Sequence, residues 1–333
     1  MFSTGGISKK HNTKSCLKNS SQYNASKDEL IGNYKIGSYS LGSGAFGGVY
    51  PATKADSDSD EIVAVKIINN GENYVRQSKI EVLILDLIKK KGGNPNIVNM
   101  IETFEHLSHP VIIFELHGVN LYRVIKNQLL VGYTVIKHII KNILNALDFL
   151  KTNLIVHSDL KPENIVLKSK NNEIPDSGSI VKIIDLGSAM FNKRKISNFY
   201  MQTRYYRSPE VVLNITASYP IDMWSLGCIV YEMIKKLPLF PAKNTNELIN
   251  YFTSQMGLPQ YEYLEKSTNK NCYRKDFIRT ITVKNYGIDK DMASFINSCI
   301  CWDPKDRIDV SNAVNLEWVK ELDDPTKPQP ITK

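Results

Sequence analysis

The densest grouping of chemistry-bearing residues is the segment HSDLKPEN, where Asp159, Lys161 and Asn164 stand at offsets 0, +2 and +5. Twenty-one residues after Asn164, the apolar run VKIID ends on Asp185, with Gly187 close behind. A carboxylate to accept a hydroxyl proton, a lysine near the transferred group, and asparagine plus aspartate oxygens for Mg2+ are the parts that phosphoryl transfer requires. Far upstream, LGSGAFGGV sets Gly42, Gly44, Gly47 and Val49 in the order G-x-G-x-x-G-x-V. Glycines let backbone N–H groups come close to phosphate oxygens. Alone, that pattern also fits a plain Gly-rich hairpin, and no helix follows it directly, which disfavours the dinucleotide-binding version. Seventeen residues past Val49, VAVK places Ala64 and Lys66 on one face of a strand by period-two alternation. In isolation Lys66 has two readings: an ammonium paired with phosphate or a helix carboxylate, or a stem that snorkels to solvent.

These residues need elements to position them, and the chain changes character once. Residues 34–113 read mostly as strands, in the runs YKIGSYSLG, EIVAVKII and PVIIF. One helix interrupts them, RQSKIEVLILDLIKK, with Ile80, Leu83, Ile84, Leu87 and Ile88 at helical spacing and Glu81 the acid nearest that stripe. From residue 120 the helical period takes over. VIKHIIKNILNALDFL aligns Ile136, Ile139, Ile140, Ile143, Leu144 and Leu147, and IDMWSLGCIVYEMI is apolar nearly all round, as a helix buried in a core would be. The expected architecture is α+β and bilobal: a small antiparallel β-rich lobe with one helix, then a larger helical lobe. A hinge is expected at 115–119, and a cleft between lobes is where ligands bind.

Composition narrows the class. The chain has 333 residues, 42% hydrophobic and 23% charged, enough for one large core or two in contact. No window approaches the roughly 18 uninterrupted apolar residues of a membrane span, and the opening MFSTGGISKK has no apolar centre for a secretory signal. The five cysteines form no disulfide framework, so an intracellular, reducing compartment is expected, nucleus or cytoplasm. Cys299 and Cys301 read as small apolar helix residues rather than metal ligands. The net charge is +8, and residues 1–33 carry five lysines against two acids in a Ser/Asn/Gly-rich stretch. That stretch reads as a disordered arm, a solvated tail ahead of a nuclear address or nucleic-acid contact. Residues 323–333, with three prolines, read as an unstructured tail.

Gly-rich loop, strand lysine, helix glutamate, catalytic loop and metal aspartate, in that order, form the protein-kinase signature set. The chain resembles eukaryotic protein kinases from about Tyr34 to Leu322, with a small lobe at 34–114, the hinge at 115–119 and a large lobe at 120–322. Ser208–Glu210 matches the end of the activation segment, IDMWSLGC the central helix with Asp222, and CWDPKDRI the region whose Arg307 pairs with Glu210 in such kinases. VKIIDLGSA, YMQTRYYRSPEVVL and LPLFP are similar to the branch holding the cyclin-dependent and MAP kinases, and within it to the dual-specificity tyrosine-regulated and homeodomain-interacting kinases. Three positions depart from the commonest pattern: Leu186 for Phe, Ser208 for Ala, and Ser158 where most kinases carry arginine. Those two families have a small residue at the last position, so Ser158 marks a branch rather than a lesion.

The resemblance implies a Ser/Thr kinase that transfers the γ-phosphoryl of ATP, with Mg2+, to protein substrates. It implies Asp159, Lys161, Asn164 and Lys66 as catalytic residues, Glu81 holding Lys66, and Asn164 with Asp185 as metal ligands. The nucleotide would meet Leu41, Gly42, Ser43, Gly44, Ala45, Phe46, Gly47, Gly48, Val49, Ala64 and Leu167. Glu115 and His117 would offer backbone hydrogen bonds to the adenine edge, behind which Phe114 narrows the pocket. Tyr200, four residues before Arg204 and seven before Arg207, is expected to be autophosphorylated and held between the two guanidiniums; Tyr205 and Tyr206 are expected only to pack. Glu163 would pair with a basic residue upstream of the acceptor, and the Arg207 segment would favour proline after it. The protein is expected to be a monomer with no membrane or nucleic-acid partner. Two other readings stand beside this one: a scaffold that binds nucleotide without catalysis, and a nucleic-acid binder with a kinase-like body, suggested by the pI of about 9.0.

Overall fold

The computed structural model describes residues 23–44, 46–55, 61–130, 132–168, 180–192, 201–267 and 287–323. Ala45 and Tyr200, and most of the two terminal stretches read as arm and tail, lie outside them.

The small lobe is an antiparallel sheet of β1 (Leu30–Ile31), β2 (Tyr34–Ile36), β3 (Gly42–Gly44), β4 (Gly47–Lys54), β5 (Ile62–Ile68), β6 (Met100–His106) and β7 (His109–Glu115). Its order is β1-β2-β4-β5-β7-β6, with β3 folded back on β4. Alternation splits β5 between two cores. Val63, Val65 and Ile67 face inward with Ile31, Tyr34, Ile36, Val111 and Ile113; Ala64 and Ile68 face the other way, toward helix α1 (Glu72–Lys90) and the large lobe.

Three expectations need correction. The run YKIGSYSLG is not one strand but β2 and β3, parted where Gly37 N–H turns to the Pro51 carbonyl at 2.7 Å. The lobe starts before Tyr34: Ile31 is fully buried and β1 pairs with β2, while Tyr23 hydrogen-bonds Glu29 and stacks edge-on against His106 and His109. Residues 23–33 therefore belong to the fold, because that short hairpin covers the end of the sheet's inner face. On α1, Leu83 is 60% exposed, and the buried face is Ser78, Glu81, Ile84, Leu85 and Ile88. A helix with apolar residues on most of its circumference gives no clean stripe, and the buried acid, not Leu83, marks its inner side.

The large lobe begins with α2 (Leu121–Lys126) and α3 (Gly132–Thr152), whose buried positions are those of the expected apolar stripe plus Val135, Ala146 and Leu150. Short strands β8 (Ile155–Val156), β9 (Ile165–Leu167), β10 (Val181–Ile183) and β11 (Met190–Phe191) lie on its cleft side, paired β9–β10 and β8–β11. After the short α4 (Pro209–Val212), α5 (Pro220–Lys235) runs through the centre, with Trp224 fully buried against Phe240 and Phe252. Helices α6 (Thr245–Met256), α7 (Tyr261–Glu265) and α8 (Lys290–Cys299) complete the surround, and Cys228 and Cys299 are buried thiols in it. No helix among the described residues is long and apolar enough to cross a membrane.

Candidate active site

The Gly-rich turn β3–β4 overhangs the cleft. Nothing lies within 4 Å of where a Cβ on Gly42 or Gly44 would stand, so their backbone faces open space. At Gly47, φ is +145°, and a Cβ would meet the Ile67 carbonyl oxygen at 1.9 Å, so no other residue fits the bend. Below it, Val49 pairs with Lys66 across β4–β5. Lys66 does not snorkel to solvent: its Nζ lies 2.7 Å from Glu81 Oε1 and 2.9 Å from Asp185 Oδ1. Burial works against this ammonium, but the carboxylates of Asp185 and Glu81 outweigh it and raise its pKa. Burial pushes the Glu81 carboxyl up while Lys66 pulls it back. For Asp185, the neighbouring Lys66 charge dominates and holds the carboxyl at about 2.

Asp185 has φ +61°, a left-handed conformation that costs a non-glycine residue about 1–3 kcal/mol and must be held by its surroundings. The holding groups are identifiable. Leu186 is buried in the main core, and Gly187 N–H turns back to Asp185 Oδ1 at 3.3 Å. Gln77 on α1 donates to the Gly187 carbonyl at 2.6 Å. A Cβ at Gly187 would stand 3.3 Å from both Glu81 Oε2 and Lys66 Nζ and would crowd the ion cluster.

Across the cleft, the catalytic loop is organised from beneath by Asp222 at the start of α5. Its carboxylate accepts the backbone N–H groups of His157 at 2.8 Å and Ser158 at 2.9 Å. Burial raises its pKa, opposed by His157 and those two bonds. Ser158, at φ +64°, is itself strained and buried, and its hydroxyl donates to the Ser188 carbonyl at 2.5 Å. Besides marking a branch, then, Ser158 ties the catalytic loop to the turn after Asp185. His157 adds a second tie: its Nδ1 accepts from Asp159 N–H at 3.3 Å, which leaves Nε2–H to donate to the Ile184 carbonyl at 3.2 Å.

The loop presents Asp159 with Oδ2 at 2.7 Å from Lys161 Nζ, and with Oδ1 accepting from Thr203 N–H at 2.9 Å and Thr203 Oγ1 at 2.8 Å. Asn164 Nδ2 donates to the Asp159 carbonyl at 3.0 Å, so its amide oxygen is the atom left for a cation. Among the described residues no cluster of three or more His, Cys, Asp or Glu forms a metal cage. Two ligands of this kind suit Mg2+, which is held by one or two carboxylates plus substrate phosphates rather than by an all-protein shell.

At the hinge, Gly118 N–H and the Val119 carbonyl bond Leu167 at 2.9 and 3.0 Å, docking the linker on β9. The Glu115 side chain is occupied by the buried Lys182 ammonium and by Asn99 N–H at 3.0 Å, and His117 Nε2 stands 3.1 Å from the same carboxylate. Burial lowers the His117 pKa. With both side chains turned away, only backbone groups remain for a ligand's edge. Phe114 and Ala64 are paired in register at the back, Leu167 is buried below, Val49 is half-buried and Leu41 is 42% exposed at the rim.

The activation segment departs in part from expectation. Arg207 spends Nε and Nη2 on the Gln202 carbonyl, at 3.2 and 2.9 Å, and Nε also on the Met201 carbonyl. Arg204 Nη1 donates to the Lys243 carbonyl at 2.6 Å, while its Nε is buried and makes no hydrogen bond among the described residues. Tyr206 does more than pack, since its hydroxyl donates to Glu232 Oε2 at 2.7 Å. Glu210 and Arg307 form a two-pronged buried pair at 2.7 and 3.1 Å. Sequence reasoning missed Gln77, Thr203, Gln202 and Lys182. The first three are polar residues among many, and only Lys182, charged inside an apolar strand run, carried a signal.

The family description "Protein kinase domain" matches residues 36–319. Among curated relatives, the human dual specificity tyrosine-phosphorylation-regulated kinase 4 is 34% identical over 308 residues, covering 86% of this chain and 57% of its own length. The rat dual specificity tyrosine-phosphorylation-regulated kinase 3 is 31% identical over 92% of this chain and 56% of its own length. A probable serine/threonine-protein kinase, dyrk2, of Dictyostelium discoideum is 32% identical over 98% of this chain but 38% of its own length. The chain thus spans about half, or less, of the length of these relatives. The bilobal fold, the ordered signature groups and a match over most of the chain place it in one family: it belongs to the protein kinases.

Proposed function

We propose that the chain is a Ser/Thr protein kinase that transfers the γ-phosphoryl of ATP, bound with Mg2+, to protein substrates, as a monomer in the nucleus or cytoplasm. The observation that carries this reading is the Lys66 ammonium bridging Glu81 and Asp185, with Asp159 held by Lys161 and Thr203 across the cleft. The presence of all these groups in mutual contact supports the catalytic reading over a non-catalytic scaffold. In the proposed reaction the nucleotide's phosphates lie under Gly42–Gly48, with Lys66 holding the α- and β-phosphates. Asn164 and Asp185 would hold Mg2+, which supplies charge neutralisation at the phosphate oxygens. Asp159 orients the substrate hydroxyl and takes its proton, and Lys161 offsets the charge that develops nearby.

Geometry also supports a preference for proline after the acceptor. Gln202 has φ +58°, which turns its carbonyl onto the Arg207 guanidinium. A substrate residue lying there finds no acceptor for its N–H, and proline has none to satisfy. Upstream, Glu163 Oε2 makes no hydrogen bond among the described residues and Glu232 lies close enough to feel its charge, a pairing suited to an arginine or lysine. Tyr200 is proposed to be phosphorylated by the enzyme itself, with the uncommitted Arg204 Nε as one receptor for the phosphate. Phosphate transfer from ATP–Mg2+ to a Ser/Thr-Pro peptide library tests the reading. Wild type should transfer and Asp159→Asn should lose at least about 100-fold in kcat; equal rates would remove Asp159 from its role.

A further inference from the structure

Helix α1 carries three tethers on one face, at positions 74, 77 and 81, which fall within one narrow arc of a 3.6-residue helix. Glu81 holds Lys66. One turn earlier, Gln77 Nε2 donates to the Gly187 carbonyl. One turn before that, the Tyr74 ring meets Phe46 at the tip of the Gly-rich turn edge-on, with centroids 5.7 Å apart. We propose that Tyr74 and Gln77 are positioning residues for nucleotide and metal: Tyr74 holds the Gly-rich turn down over the phosphates, and Gln77 holds the metal-binding turn in its strained conformation.

Tyr74 acts on a loop whose own backbone is costly to order. Gly42, Gly44, Gly47 and Gly48 give it a large conformational entropy to lose on closing over a ligand. Its tip is held from outside by Asn69 N–H on the Phe46 carbonyl at 2.9 Å and by the Tyr74 ring. A tip already docked on α1 has less entropy to lose when nucleotide binds. Phe46 is 42% exposed, so its half of the contact adds little to the core, while the half-buried Tyr74 ring packs on the main core as well.

Gln77 acts on the left-handed Asp185. The turn Leu186–Ser188 must stay wound for the Asp185 carboxylate to face the cleft. Gln77 is the contact through which α1 grips the backbone of that turn, and the fixed carbonyl of Gly187 sets the orientation of the peptide that follows it. Loss of the amide donor frees the turn to relax toward an unstrained conformation in which Asp185 no longer points at the phosphates. The Lys66–Glu81 pair does not involve that turn and remains, so nucleotide binding without metal is spared.

The inference rests on the kinase reading only through nucleotide binding, and calorimetric titration with ADP tests it, in EDTA and in Mg2+. Tyr74→Ala should weaken ADP about 3- to 10-fold in both conditions. Gln77→Met, which keeps length and helix propensity but has no donor, should leave ADP affinity in EDTA unchanged. It should cut the gain from Mg2+ about 5-fold, the worth of one ordinary hydrogen bond. In an Asp185→Asn background Gln77→Met should add nothing further. A Gln77→Met protein that loses equal affinity in EDTA and Mg2+, or loses none, overturns the Gln77 role; a Tyr74→Ala protein with wild-type affinity overturns the other. Wild type that binds Mg–ADP yet transfers no phosphate contradicts the catalytic reading alone, and wild type that binds no ADP overturns both.

Discussion

Replacing Asp222 with asparagine should cripple catalysis from beneath the site while sparing nucleotide affinity. Asp222 is 5% exposed, and each of its oxygens accepts one backbone N–H, from His157 and Ser158. Asparagine offers one oxygen and turns an NH2 toward the other N–H. One charge-assisted bond, about 1.5–3 kcal/mol, becomes a neutral one of about 1 kcal/mol, and the second is replaced by a buried unsatisfied donor costing about 1–3 kcal/mol. The sum is about 2–5 kcal/mol of stability. Those two bonds also hold Ser158 at φ +64°, a conformation with its own cost of about 1–3 kcal/mol. Once they weaken, Ser158 has reason to relax, and Asp159 follows it. In the proposed binding mode the nucleotide meets the hinge and Lys66, which Asp222 does not touch. Asp222→Asn should therefore unfold in urea with a loss of about 2–5 kcal/mol. The protein still folded should show kcat down at least about 10-fold with ADP affinity within about 2-fold. A loss below about 0.5 kcal/mol, or a parallel fall in nucleotide affinity, would refute the claim that Asp222 acts by holding the catalytic loop.

Three further outcomes are expected. Arg307→Met should cost about 3–5 kcal/mol in urea denaturation by leaving the Glu210 carboxylate buried alone, and Glu210→Leu in the same chain should recover most of it. The Asp185 carboxyl, lowered to about 2 in the fold, contributes stability that is present above its ordinary value near 4 and lost as pH falls through about 2; Asp185→Asn should flatten urea midpoints measured between pH 5 and 2. Mass spectrometry of bacterially expressed protein should find phosphate on Tyr200 in wild type and none in Asp159→Asn, and an unmodified Tyr200 in a fully active preparation would refute its autophosphorylation.

Much of this protein was legible in the order of its residues. Asp159, Lys161, Asn164, Asp185 and the glycines of the loop follow one another in short motifs, so their types and spacings carry the candidate site directly. Helix α3 was legible because its apolar residues recur at a 3.6-residue period, and α5 because its segment is apolar nearly all round, as a helix buried in a core would be. Tertiary structure alone decided the rest. Alternation put Lys66 on an inner face, but whether it met a carboxylate or water depended on the packing of α1, whose apolar residues ran around most of its circumference and misplaced Leu83. The hairpin that adds Leu30–Ile31 to the sheet has too few apolar residues to signal burial until β2 is in place beside it. Gln77, Gln202 and Thr203 could not be singled out, because a neutral polar side chain acquires a role only from the backbone atom that the fold brings within about 3 Å of it, and no local pattern records that meeting.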